Sequence, residues 1–216
     1  MVGAPADSPH TSPPSPSGGR CEDGQVHTLR RVVLTVALLN LAYFSVEFAV
    51  AIAIGSVSLF ADSVDFLEDA LINLLIYAAL PWSAARRRTV GSVLAFVILI
   101  PAVATVWAAV AKAFDPYPPA PLPLTLTAAG ALIVNLTAAL LLVRHRHHSG
   151  SLTKAAWLSA RNDAFANVAI IAVGLLTIWF ATGWLDIIAG VAIGILNADA
   201  ARAVWNAARR EVDPAP

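Results

Sequence analysis

The sequence predicts an all-α integral membrane protein with six transmembrane helices. Three observations lead there. Of the 216 residues, 58% are hydrophobic and only 13% are charged, where a soluble domain carries about 25% charged residues. Mean hydropathy is +0.71. Six apolar stretches of roughly 20 residues recur along the chain, each long enough to cross a hydrocarbon core of about 30 Å as a helix. The formal net charge is zero, which gives no reason to expect a nucleic-acid partner. The single Cys21 excludes both a disulfide framework and a cysteine metal cage.

Residues 1–27 are rich in Pro, Ser and Gly and lack the apolar middle of a signal peptide, so a disordered N-terminal tail is expected there. Residues 28–210 form the expected six-helix membrane domain, and 211–216 a short C-terminal tail with no soluble domain behind it. The spans are placed at 32–54, 58–80, 90–114, 122–143, 155–182 and 184–206. Basic residues sort to alternate connectors: Arg30 and Arg31 precede the first span, Arg86 to Arg88 separate the second and third, Arg144, Arg146 and Lys154 separate the fourth and fifth, and Arg209 and Arg210 follow the sixth. The remaining connectors carry little basic charge beyond Lys112. Positive charge accumulates on the cytoplasmic side, so both termini are expected in the cytoplasm. The preference for Arg over Lys and the abundance of Ala suggest a GC-rich bacterial genome, so the expected location is the bacterial inner (cytoplasmic) cell membrane.

In the first span, Asn40 and Glu47 stand seven residues apart on one face. They either line an ion path or lock this helix against a neighbour. The second span reads SVSLFADSVDFLEDALINLLIYAALPW and holds Asp62, Asp65, Glu68 and Asp69 within eight residues. Ionised carboxylates near the bilayer centre cost about 2.5–3.5 kcal/mol each, so four cost roughly 10–14 kcal/mol unless a proton, a counter-charge or a cation relieves them. Asp62, Asp65 and Asp69 share a helix face, and Glu68 is rotated away from it. Asp62 has two readings, as a cap at the start of this helix or as a member of the cluster.

The fourth span carries Asn135. Between it and the fifth lie His145, His147 and His148, either a weak metal-gathering loop or a solvated basic one. The fifth span reads WLSARNDAFANVAII and puts Ser159, Asp163 and Asn167 on one stripe, with Asn162 beside Asp163. Asp69 lies roughly 16 Å into its span from one side and Asp163 roughly 12–16 Å from the other, so both fall near mid-membrane. The sixth span opens TGWLD, with Asp186 expected to cap it, and its Gly190 and Gly194 permit close helix approach. Acids from two distant spans at one depth are expected to form a single cation site, alternating between metal and protons.

The stretch GSVSLFADSVDFLED, from Gly55 to Asp69, resembles the second-helix motif of the cation diffusion facilitator family. Asp163 with Ser159 four residues before it resembles the family's fifth-helix pair, and TGWLD its sixth-helix opening; Asn40, Glu47 and Asn135 resemble frequent polar positions. The resemblance spans about residues 29–210 and implies a secondary transporter, not an enzyme, that exports Zn-, Co-, Mn- or Fe-type divalent cations in exchange for protons. It implies metal ligands Asp65, Asp69, Asp163 and Ser159, with Asn162, Asn167 and Asp62 as auxiliaries. No cofactor is implied; the metal ion is the substrate. Ser159 stands where the family has a strong ligand, and an oxygen-dominated site favours harder cations. The family's cytoplasmic C-terminal domain has no counterpart after the sixth span, so a homodimer would pair through membrane helices. The alternatives are a non-transporting membrane metal sensor or partner subunit, and an intramembrane metal-dependent enzyme, against which stands the lack of any His within the spans.

Overall fold

The computed structural model describes residues 18–79, 84–144 and 150–210, with side chains along the better-defined parts of that range. Six helices account for nearly all of it: α1 (Gly18–Ile54), α2 (Val57–Ala79), α3 (Ala84–Ala113), α4 (Pro121–Arg144), α5 (Gly150–Trp179) and α6 (Trp184–Arg210). No strand occurs among the described residues. Each expected span falls on one of these helices, although α3 and α5 begin six and five residues earlier than expected, α5 ends three residues earlier and α6 runs four residues further. Helix α1 reaches back to Gly18, into the segment expected as tail.

Arg30–Ile54, Pro121–Val143 and Asn162–Trp179 are long and apolar enough to cross a membrane, and Val103–Ala113 and Trp184–Asn197 are shorter apolar stretches. The four acids of α2 set it apart from them. Burial is inverted relative to a water-soluble protein. Ile52, Trp107, Ile133 and Phe165 are 61–75% exposed, whereas Asn40, Glu47, Asp62 and Asn167 are buried. Apolar side chains outward and ionisable ones inward is the arrangement lipid enforces.

Helix α2 packs against α1, α3, α5 and α6, which is why its polar face is enclosed. Around it, α1 contacts α4, α4 contacts α5 and α3 contacts α6. The α1–α2 turn sets the register between these two helices. Gly55 has φ 63°, Ser56 N donates to Ala51 O at 3.0 Å, and Gly55 N to Ile52 O at 3.4 Å. This is the double closure of a helix ending on a left-handed glycine. The Tyr117 ring lies against Gly55, leaving no space for a Cβ. Gly55→Ala is therefore expected to lose at least about 1–2 kcal/mol from backbone conformation alone, measurable as a lower Tm in detergent.

Helix α2 begins with Ser56 as its cap, since Leu59 N donates to Ser56 Oγ at 3.1 Å. Its two preceding amides are satisfied from another helix: Val57 N donates to Asp186 Oδ2 at 2.7 Å and Ser58 N to Asp186 Oδ1 at 3.1 Å. Two sequence expectations change here. Asp62 lies beyond the first turn and does not cap α2, and Asp186 caps α2 instead of its own helix. An anionic carboxylate is stabilised at that position by the partial positive charge of the helix N-terminus. Gly190 makes the approach possible, because a Cβ there would meet Val57 Cγ1 at 2.6 Å and Val57 C at 2.7 Å. The Gly190–Gly194 pair thus serves packing inside the bundle, Gly190 against α2 and Gly194 facing Thr105 of α3.

Candidate metal centre

The acids of α2 meet two partners. On one side, the Glu47 carboxyl of α1 faces that of Asp62 at hydrogen-bonding range. On the other, the Asp163 carboxyl of α5 faces that of Asp65 in the same way. Asp69 stands close enough to interact with both Asp65 and Asp163. Two facing carboxyls have no donor between them unless a proton or a cation joins them.

The surrounding donors are few. Asn40 Nδ2 lies 3.5 Å from Asp69 Oδ2, and Asn167 Nδ2 lies 3.5 Å from Asp62 Oδ1. Both are long for a hydrogen bond. Asn167 Nδ2 has a firmer acceptor in Asp163 O at 2.6 Å, which ties the amide to its own helix. Several buried oxygens have no donor at all: Glu47 Oε1 and Oε2, Asp62 Oδ2, Glu68 Oε1 and Asp163 Oδ2, along with Asn40 Oδ1 and Asn167 Oδ1. Buried acceptors are ordinarily satisfied, and orphans gathered on α1, α2 and α5 are what a cation path needs.

Asp62, Glu68 and Asp163 are buried, while Asp65 and Asp69 retain partial exposure. Among the described residues, no three acidic, histidine or cysteine side chains converge into a ready-made cage. The carboxyls come instead as facing pairs strung along α2, with Asp69 next in line.

The remaining sequence candidates fall as follows. Glu68 sits off the Asp62–Asp65–Asp69 face, as its rotation predicts, yet remains within electrostatic reach of Asp65 and Asp69. Asn162 is exposed and lines an apolar groove of about 300 Å³ between α5 and α6, together with Ala166 and Ala189; the structure does not bring it to the acids. Asn135 is buried on α4. The side chain of Ser159, and the loop carrying His145, His147 and His148, lie outside the described residues.

Sequence reasoning missed a second buried network. Lys112 Nζ of α3 pairs with Asp186 Oδ2 at 2.8 Å, both side chains being almost fully buried, and donates to Gly55 O at 2.6 Å. Ser56 Oγ and Ser58 Oγ complete the shell of Asp186 at 2.7 and 2.6 Å. The signal was available: a lysine bordering an apolar span needs a partner. Asn197 of α6, which donates to Ala61 O at 3.2 Å, and Tyr43, whose hydroxyl donates to Thr127 O at 2.6 Å, were likewise not singled out.

No curated protein sequence matches the chain. The family model of the cation efflux transmembrane domain matches residues 33–209, which spans all six helices and both networks. With the acids of α1, α2 and α5 enclosed in an inverted bundle, the chain belongs to the cation efflux family, multi-pass membrane proteins that move metal cations.

Proposed function

We propose that this protein exports a divalent metal ion in exchange for protons through Asp65, Asp69 and Asp163, from the cytoplasm of a bacterial cell across its inner membrane. One observation carries the reading: Asp65 of α2 and Asp163 of α5 face each other in the bundle interior with Asp69 beside them, and Asp163 Oδ2 has no donor. Ion binding draws this pair and Asp69 together, and protons return to the same carboxyls once the ion leaves. The oxygen-only donor set favours Mn²⁺ or Fe²⁺ over ions that prefer nitrogen or sulfur, with Ser159 as the further oxygen expected on the α5 stripe.

Both termini face the cytoplasm in this reading. Lys112, the one basic residue near the opposite connectors, is neutralised by Asp186 and does not weaken the charge asymmetry. Alternating access then exposes the central acids first to one side and then to the other.

The test is flux in proteoliposomes carrying a pH-sensitive dye. With a panel of divalent ions supplied as gradients, metal movement is expected to be accompanied by opposite proton movement. Metal binding without flux would identify a sensor and refute the exporter.

A further inference from the structure

We propose that Glu47 and Asp62 form a second cation station, one helical turn from the Asp65–Asp69–Asp163 centre towards the α1–α2 turn, which a divalent ion occupies in succession with that centre. The inference rests on the transport reading above and extends it.

Both side chains are completely buried. Glu47 Oε1 and Oε2 and Asp62 Oδ2 have no donor, and Asp62 Oδ1 has only the long contact with Asn167 Nδ2. The nearby donors are committed elsewhere: the Asn167 amide to Asp163 O and the Tyr43 hydroxyl to Thr127 O. An observation independent of the acids points the same way. Asn167 is itself fully buried beside Asp62, and its Oδ1 has no donor. Two carboxylates and a carboxamide oxygen, enclosed and short of donors, form an acceptor set suited to a hard cation held by oxygen ligands.

The spacing decides how the stations work. Asp62 precedes Asp65 by three residues, a rise of about 4.5 Å along α2. Two divalent charges that close repel strongly unless shared carboxylates bridge them, and here the carboxyls come as separate facing pairs. One ion per chain is therefore expected, stepping between stations, with Asp62 and Asp65 as adjacent members of the two pairs.

The experiment uses the full chain in lipid nanodiscs, with Mn²⁺ as probe and the free ion counted by electron paramagnetic resonance. Wild type is expected to bind a single Mn²⁺. The variant carrying Asp69→Asn and Asp163→Asn is expected still to bind one, with affinity lowered about 10–100-fold, and adding Glu47→Gln is expected to remove it. Glu47→Gln alone is expected to retain binding at the Asp65–Asp69–Asp163 centre while slowing Mn²⁺ efflux about 10–100-fold. Glu47→Asp, which keeps the charge, is expected to recover part of that loss, and thermal unfolding reports whether each variant is folded. If the double variant binds no Mn²⁺ while wild type does, or if the triple variant binds as the double does, the station is refuted. Full affinity in the double variant, with binding lost in Glu47→Gln alone, would keep the station and overturn the central site. No binding by wild type overturns both.

Discussion

Asp163→Asn and Asp69→Asn are each expected to abolish metal-driven proton movement in proteoliposomes while leaving the protein folded. An amide keeps the shape of the side chain but removes the charge that attracts the ion and the basic oxygen that accepts the proton. Loss of a direct ligand is expected to reduce transport by more than about 100-fold, the upper range for groups that merely orient ligands. Asn162→Ala is the internal control. Its side chain is exposed in the groove between α5 and α6, so transport is expected to stay near wild type although the residue adjoins Asp163 in sequence. Full transport in both aspartate variants would refute the site assignment.

Asp186→Ala is expected to give the largest loss of stability. It leaves Lys112 buried without its charge partner and removes the acceptor of two α2 amides and two serine hydroxyls. Breaking a buried pair from one side costs about 3–5 kcal/mol, and the lost capping adds roughly 1 kcal/mol more. Lys112→Met is expected to cost less, because Asp186 retains its Ser56, Val57 and Ser58 donors. Combining Asp186→Leu with Lys112→Met removes both charges and is expected to be milder than the sum of the single changes. Thermal unfolding in detergent checks the order; Lys112→Met proving costlier than Asp186→Ala would contradict the account.

Helix α2 and its central acids were legible in the sequence for a local reason. A carboxylate in an apolar segment is conspicuous without knowledge of its neighbours, and Asp163 sits at a matching depth by simple rise per residue. The pairing of Glu47 with Asp62 was not legible. It depends on the rotation of α1 against α2, set at Gly55 and Ser56 by a turn whose left-handed residue reads locally as an ordinary connector. Asp186 was misread for the same kind of reason. A carboxylate early in a helix usually caps that helix, and only the close approach at Gly190 reveals that it serves α2 instead. Lys112 looked like loop charge because its partner lies 74 positions away. The start of α1 at Gly18 was hidden by Gly18, Gly19, Cys21, Asp23 and Gly24, which local propensity disfavours but a long continuing helix carries along.

The Asp186 network joins the ends of three helices at one edge of the bundle: the start of α2, the end of α3 through Lys112 and the start of α6. Rods pinned at a shared end can separate only by swinging from it. Helix α6 has 27 residues, about 40 Å at 1.5 Å per residue, so a tilt of roughly 10° about the pin would displace its far end by about 7 Å and leave the pinned end almost still.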